Sequence, residues 1–202
     1  ETDPVFNYPE EQQYYAEVLP EGKPFWSAIL KKGLLRSFIM KAYYKKNKNS
    51  QKSIDSIVEK ILEEITTLNQ WLSIAGYFSL LCEASPKAVM HRLDDEWKNP
   101  TGLIEVFSKE KGDAFFSKNY YTHFIWGIEQ FLLQNEYAAW AVRWFIRMHA
   151  LNINYSISNS PKETLKQVFC TWHNVTVLSP EDKVYLVKEA FARNYDIWNL
   201  IY

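Results

Sequence analysis

Apolar residues recur at intervals of three and four along most of this chain. Between residues 54 and 65 the charged residues lie on one side of a helical projection, and the apolar ones fall at Ile54, Ile57, Val58, Ile61, Leu62 and Ile65. The same spacing returns in residues 71–82 and 138–148. It is typical of helices that pack by one apolar face. Strict alternation is confined to residues 153–157 and 175–177, so we predict extended connectors there and no sheet.

Serine–proline pairs indicate where several helices begin. They occur at Ser85-Pro86, Ser160-Pro161 and Ser179-Pro180. The serine can accept a hydrogen bond from the first turn, and proline is tolerated at the first helical position because its missing N–H would have no partner there. An acid follows two of these serines by three residues, at Glu163 and Asp182, which is the capping-box spacing.

These signals predict helices joined by short links. The predicted helices lie near residues 10–19, 24–46, 53–65, 68–83, 86–97, 122–133, 136–151, 161–172, 180–193 and 195–200, with a short turn of helix at 103–108. We therefore expect an all-α fold, an α-solenoid of antiparallel helix pairs with divergent helical repeats. It is expected to span residues 1–202, with a candidate internal boundary near residues 109–121.

Composition narrows the class of partner. Hydrophobic residues make up 47% of the 202 residues, enough to bury a sizeable core. The formal net charge of −1 gives no overall attraction to nucleic acid or to an anionic membrane. No stretch approaches the roughly 18 apolar residues that a membrane span needs. We expect a protein partner, either another domain of the same chain or an external protein. We expect an oligomer only through a parent protein, and neither nucleic acid nor membrane as a partner.

The start of the chain and its cysteines indicate the compartment. Residue 1 is Glu and methionine occurs only at positions 40, 90 and 148, so we expect a processed chain or an internal fragment. No signal-peptide pattern opens it. Cys82 and Cys170 lie within apolar helical patterns and are expected to be buried free thiols, as in a reducing compartment. The predicted localisation is cytoplasmic.

Three stretches of the sequence carry a resemblance to a known family. The first is Leu30-Lys31-Lys32-Gly33-Leu34-Leu35-Arg36. The second runs from Trp71 through Ala84-Ser85-Pro86-Lys87-Ala88. The third comprises Trp126-Gly127-Ile128-Glu129, Glu136-Tyr137-Ala138, Asn159, Leu165, Phe169, Trp172 and His173. Their order and spacing resemble the helical region that follows the ATPase core in large bacterial STAND-type NTPases, a class that includes the antiviral STAND proteins.

The resemblance covers about residues 3–176 and implies a role within a larger protein. The parent would carry a P-loop ATPase module, with room for an N-terminal effector. This region would sense a ligand or hold the inactive state. The P-loop string G-x-x-x-x-G-K-[ST] does not occur in these 202 residues. We accordingly expect no cofactor in this segment.

Candidate catalytic and metal-binding residues are few in the sequence. Cys170 and His173 are three apart on a predicted helix, but no orienting carboxylate or amide lies nearby, so we expect an inert thiol. The histidines, His91, His123, His149 and His173, are isolated and have no metal-site spacing. The acids at 63–64 and 94–96 are consecutive, so they fan out around a helix and are expected to be solvated. We predict no enzyme activity for this segment.

The strongest candidate for partner binding is one helix face. Trp140, Arg143, Trp144 and Arg147 follow the spacing i, i+3, i+4, i+7, and Trp and Arg are the residue types that anchor protein interfaces. The alternative is that this face packs on the neighbouring hairpin with its arginine tips in water. A second candidate, the Lys-rich and Tyr-containing run 41–48, suits single-stranded nucleic acid, or simply a helix end followed by a solvated loop.

We therefore expect a sensor or regulatory, protein-binding region of a STAND-type NTPase, with a role in bacterial antiviral defence. A generic α-helical scaffold or adaptor without a signalling role is the alternative. A helical enzyme domain with a composite site is the third hypothesis, although the sequence shows no polar cluster for it.

Overall fold

The computed structural model describes residues 2–9, 12–13, 26–44, 48–109, 120–153, 159–170 and 175–197. In these ranges all regular secondary structure is helical, which confirms the predicted all-α class. The chain divides into two compact units, residues 1–106 and 107–202. The division falls shortly before the candidate boundary at 109–121, most of which lies outside the described residues.

Among the described residues, unit 1 contains a short 3₁₀ turn near its start and then a series of α-helices. The turn is Pro4–Asn7, and the α-helices are α1 (Ala28–Tyr44), α2 (Lys48–Glu63), α3 (Leu68–Ile74), α4 (Phe78–Ala84), α5 (Pro86–Glu96) and α6 (Leu103–Lys109), the last of which contains the division between the units. Apart from residues 12–13, the predicted helix at 10–19 lies outside the described residues. The predicted helix at 68–83 is divided by a 3₁₀ turn at Ala75–Tyr77 into α3 and α4.

The core of unit 1 forms where α2 packs on α5 and α1 packs on α4. The spacing predicted for α2 is confirmed on its inner side, where Ile54, Val58 and Leu62 are fully buried. Trp71 of α3 is also fully buried, and Cys82 of α4 is a buried free thiol, as expected. Burial raises the pKa of the Cys82 thiol well above its ordinary value, so this cysteine is unreactive.

A buried polar network connects the ends of several helices in unit 1. Thr101 accepts hydrogen bonds from Trp71 Nε1 at 3.0 Å and from Arg92 Nη2 at 2.6 Å, and its hydroxyl donates to Glu96. Glu96 also accepts from the backbone N–H of Thr101 and from that of Leu103, the first residue of α6. The expectation that Glu96 is solvated was wrong, since the residue is 1% exposed. In place of water, the Glu96 carboxylate accepts hydrogen bonds from backbone N–H groups. One of them is the Leu103 N–H, which an isolated helix start would leave unpaired.

Arg92 extends this network to the end of α2. Its side chain donates to the carbonyl oxygens of Leu62 at 3.1 Å and Ile65 at 2.9 Å, and its Nη1 lies 2.8 Å from Glu96 Oε1. The guanidinium also lies 5.1 Å from the centre of the Trp71 ring. Carbonyl groups at a helix end have no partner within the helix, so this arginine supplies one for each.

Ser85 is the N-cap residue of α5, as predicted, but its hydroxyl does not cap the helix. Its hydroxyl donates to Asp55 Oδ1 on α2 at 2.6 Å, and no side-chain hydrogen bond caps the helix. Ser85 is fully buried, where a hydroxyl needs a strong acceptor more than a local one. The other two predicted caps are confirmed: Ser160 accepts from the Glu163 N–H, and Ser179 and Asp182 form a full capping box.

The described residues of unit 2 form four α-helices beyond α6. They are α7 (Tyr120–Glu129), followed by a 3₁₀ turn at Gln130–Leu133, α8 (Ala138–Ala150), α9 (Pro161–Phe169) and α10 (Pro180–Ala192). The core is aromatic: Phe107 lies 6.0 Å from Tyr121 and 5.8 Å from Trp144, measured between ring centres. Helix α8 packs on both α9 and α10. Cys170 is half-buried, less than predicted.

Asn194, two residues after the end of helix α10, stops the chain from continuing as a helix. Asn194 has φ +59°, and its N–H donates to Phe191 while the Tyr195 N–H reaches back to Ala190. This pair of bonds is a Schellman motif, in which the left-handed residue turns the chain away from the helix axis. The helix predicted at 195–200 is therefore wrong for residues 195–197; the rest of it lies outside the described residues.

Candidate protein-binding surface

Helix α1 exposes more apolar side chain than any other described helix. Ile29 is 86% exposed, Leu34 54%, Met40 51% and Leu30 42%. Trp26, two residues before the helix, is also half exposed. Contiguous exposed apolar residues on a folded domain mark sites where another surface binds. The exposed apolar residues of other described helices form smaller groups, such as the pair Ile57 and Ile61 of α2, at 37% and 38%.

The helix is held in place by its other side. Leu35, Phe38 and Ile39 follow helical spacing and are half-buried on the side from which α1 packs on α4. At the start of the helix, the Leu30 N–H donates to Ser27 Oγ at 3.2 Å, so Ser27 provides an N-cap. The inner face therefore fixes α1 on unit 1 and leaves the outer face without a partner among the described residues.

The outer face of α1 has a shallow trough along its middle. We define the α1 outer face as Ile29, Leu30, Gly33, Leu34, Ser37 and Met40. At about 100° per residue, Gly33 and Ser37 lie near its centre, with Ile29 and Met40 on one side and the two leucines on the other. A Cβ added to Gly33 would meet no atom within 4 Å. The Ser37 hydroxyl donates to the Gly33 carbonyl at 2.9 Å and so requires no outside partner.

Cations border this trough on both sides. Helix α1 contains Lys31, Lys32, Arg36 and Lys41, and it contains no acid. Arg36 and Lys41 are both exposed and fall on opposite borders of the α1 outer face in a helical projection. The surface thus combines an apolar centre with positive edges.

The face of α8 that was predicted to bind a partner is partly buried within unit 2. Trp144 is 3% exposed and contacts Phe107 and Phe145, so it belongs to the aromatic core of unit 2. Trp140 is half-buried, with its ring edge-on to Phe131 at 5.7 Å. The expectation of two exposed tryptophans is therefore corrected: Phe107 and Phe131 cover positions that spacing along α8 alone left open.

The arginines of that face reach a neighbouring helix. Arg143 Nε lies 2.8 Å from Glu189 Oε2 on α10, and Arg193 Nη2 lies 2.8 Å from the other oxygen of the same carboxylate. Arg143 and Glu189 also line a small cavity between α8 and α10, and Arg147 lines it as well. The cavity has a volume of about 20 Å³. That volume is enough for about one water molecule and excludes a small-molecule ligand. The alternative prediction was that this face packs on a neighbouring hairpin with its arginine tips in water. The position of Arg143, paired with Glu189 and partly exposed, agrees with it.

A larger depression lies in unit 1. It has a volume of about 270 Å³, and its lining residues come from α2, α3 and the link between them: Lys60, Ile61, Glu64, Ile65, Gln70 and Ile74. Gln70 is already used, because its Oε1 accepts from the backbone N–H groups of Thr66 and Thr67. The depression is just below the usual size of a ligand site, and its two charged lining residues, Lys60 and Glu64, are both exposed.

Among the described residues, no group of three or more His, Cys, Asp or Glu side chains could hold a metal ion. His173, the candidate partner of Cys170, lies outside the described residues, as do residues 45–47 of the Lys- and Tyr-containing run 41–48. Within the described ranges, no helix has the length and apolar character needed to cross a bilayer.

The spacing of apolar residues along α1 does not show which side of the helix is exposed. Apolar residues lie on every side of α1, so the helix has no polar face that would mark its outside. A helix apolar all round is usually buried, and α1 is exposed on one side instead.

No protein-family model matches this chain, and neither a curated protein nor a solved structure does so.

Proposed function

We propose that this chain is a non-catalytic helical region that binds another protein segment through the α1 outer face. The observation that carries the proposal is the exposure of Ile29, Leu30, Leu34 and Met40 along one side of a helix whose other side is anchored. A single uncovered apolar side chain needs no explanation, whereas a contiguous set of this kind is a surface that a partner covers.

The wider role that we propose is a sensor or regulatory region of a STAND-type NTPase, located in the cytoplasm and serving antiviral defence. The sequence resemblance in residues 30–36, 71–88 and 126–173 supports it, and the first of these stretches forms part of α1. We further propose that the helices form antiparallel pairs in a divergent α-solenoid. Stacking of successive pairs would give an apolar outer helix face the role of a docking surface.

A generic helical scaffold is the second candidate. Its helices would stack in the same way, so the α1 outer face is compatible with it as well. The two candidates differ in what precedes residue 1 in the native gene. A Walker A motif in a strand–loop–helix context upstream supports the NTPase, whereas further helical pairs without a P-loop favour the scaffold.

Site-specific photo-cross-linking tests the binding proposal. A photoreactive side chain replaces Leu34 in the full-length protein in its native cell, and Val184 is the matched control position, since both residues are 54% exposed. We expect position 34 to cross-link to one discrete protein segment and position 184 to give none. The additional substitution Ile29→Glu should abolish the cross-link. Absence of cross-links from position 34, or equal cross-linking from position 184, contradicts the proposal.

A further inference from the structure

The charge around α1 is strongly one-sided. Residues 22–54 contain nine Lys and Arg and no Asp or Glu. The remainder of the chain holds the other 14 cations against 24 acids, a balance of −10. The overall net charge of −1 therefore hides a segment with a charge of +9. A surface set in such a segment attracts an anionic partner and repels a second copy of itself.

Building on the proposed function, we propose that the partner of the α1 outer face is an acidic, amphipathic α-helix of another protein segment. Its apolar stripe would lie in the trough over Gly33 and Ser37, and its acids would pair with Arg36 on one border and Lys41 on the other. This is the arrangement of a helix-in-groove contact, with flanking charges that set the choice of partner.

The trough favours a helix over a lipid bilayer. Helices that lie on membranes bury a face made of large apolar side chains such as Trp, Phe and Leu. Here the centre is Gly33 and Ser37, and the bulky side chains form two borders. Small residues at the middle of a face let a second helix backbone approach closely, and the open space above Gly33 allows that approach.

Nucleic acid fits this surface less well than an acidic helix does. Phosphate-binding surfaces pair their cations with polar groups or with aromatic rings that stack on bases. The exposed apolar side chains along the two borders of the α1 outer face are not aromatic: they are Ile29, Leu30, Leu34 and Met40. Aliphatic side chains gain free energy from covering apolar surface, which a helix with an apolar stripe provides.

A pair of synthetic peptides tests the inference on the whole 202-residue chain. Both are helical, about 18 residues long, with the same Leu/Ala stripe, and their flanking positions are all Glu in one and all Lys in the other. Binding is measured by fluorescence anisotropy at about 50 mM and about 500 mM NaCl. We expect the Glu peptide to bind at least about tenfold more tightly than the Lys peptide, and salt to reduce the difference.

Variants locate the binding. The double variant Arg36→Glu/Lys41→Glu should remove the preference for the Glu peptide. The control Lys98→Glu/Lys188→Glu, which changes the net charge equally at two exposed lysines elsewhere, should retain it. Gly33→Leu fills the trough in open space, so the helix should stay folded by circular dichroism while affinity for the Glu peptide falls at least about tenfold.

Several results would overturn the inference. They are equal affinity for the two peptides, no binding of either peptide, or unchanged affinity of the Gly33→Leu variant. The same holds if Lys98→Glu/Lys188→Glu loses as much of the preference for the Glu peptide as Arg36→Glu/Lys41→Glu does. Binding that depends on Arg36 and Lys41 but occurs only to vesicles of phosphatidylcholine and phosphatidylserine would indicate a membrane, and binding only to oligothymidylate would indicate nucleic acid.

The cross-link from position 34 separates the two proposals. A discrete protein cross-link together with no preference for the Glu peptide retains the proposed function and rejects an acidic helix as the partner. Loss of the cross-link itself rejects the proposed function.

Discussion

Thr101 uses every hydrogen-bonding position that a hydroxyl has, since it accepts from Trp71 and Arg92 and donates to Glu96. The substitution Thr101→Val keeps the shape of the side chain and removes all three bonds. It leaves the Trp71 and Arg92 donors with one partner fewer in a buried site. We expect a loss of about 3 kcal/mol in the free energy of unfolding, measured by urea denaturation.

Thr66→Val is the matched control for that experiment. Thr66 is exposed, and its hydroxyl makes only a 3.3 Å contact with Gln70. Its replacement should change stability by no more than about 0.5 kcal/mol. A loss of the same size at both positions would show that valine, rather than the broken network, is responsible.

Gly102 occupies a position that no other residue can take without strain. Its φ is +117°, and an added Cβ would lie 2.8 Å from the backbone of Leu68. We expect Gly102→Ala to lower the free energy of unfolding by about 2–4 kcal/mol in a urea titration. Gly76→Ala is the control, because nothing lies within 4 Å of its added Cβ and its φ is not in that range. If Gly76→Ala is as damaging, the steric explanation fails.

Glu129 gives unit 2 a pH dependence with a definite sign. Burial raises its pKa above the ordinary 4.5, and the hydrogen bond donated by Thr164 at 2.7 Å opposes that rise only in part. The folded state therefore holds this proton more tightly than the unfolded state does. Its stabilising contribution is complete below about pH 4.5 and is lost as the pH rises through the folded-state pKa.

The substitution Glu129→Gln removes that pH dependence while the amide oxygen can still accept from Thr164. We expect the variant to be more stable than the parent chain at about pH 7, and the advantage to vanish near about pH 4, where the parent carboxyl is protonated. Thermal unfolding across this range measures it. Glu83→Gln makes the same chemical change on an exposed side chain, and an equal gain there would contradict the burial argument.

At the scale of the element, α8 shows how one helix divides its tryptophans. Trp144 is buried against Phe107 and Phe145, whereas Trp140 is only half-buried. We expect Trp144→Ala to lower the free energy of unfolding by about 3–5 kcal/mol. Trp140→Ala should cost clearly less, because part of its ring is already in water. Urea denaturation of the two variants side by side checks this, and equal losses would contradict the assignment of Trp144 to the core.

Most elements could be predicted from the sequence because their signals are local. The spacing of Ile54, Val58 and Leu62 marks the buried side of α2, and the Ser179–Asp182 box marks the start of α10. Local signals failed where a distant residue competed for the same group. Ser85 bonds to Asp55, thirty residues away, instead of capping its own helix.

The candidate surface was harder to predict for a related reason. Whether an apolar side chain is covered depends on which elements pack against it, and spacing along the helix does not specify them. Trp144 is covered by Phe107, while Leu34 and Met40 remain exposed. A charge count over segments, rather than over the whole chain, would have marked residues 22–54 as unusual.

At the scale of the whole molecule, segregated charge should determine chromatographic behaviour. A chain with net charge −1 has no overall attraction to a cation exchanger at neutral pH, yet the acid-free residues 22–54 present a dense positive segment. We expect the protein to bind a sulfopropyl resin at about pH 7 and low salt. Arg36→Glu/Lys41→Glu should elute at clearly lower salt than Lys98→Glu/Lys188→Glu, and identical elution would show that the segment does not act as a local charge.

The network around Thr101 also limits how this sequence can change over evolutionary time. Trp71, Arg92, Glu96 and Thr101 share their hydrogen bonds, so replacing any one of them takes a hydrogen-bond partner from at least one of the others in a largely buried site. A fully apolar set of similar volume would satisfy the same space, but only if several positions changed together. Descendant sequences should therefore keep these four residues as a set or exchange them as a set, and the positions should covary more strongly than neighbours in the apolar core.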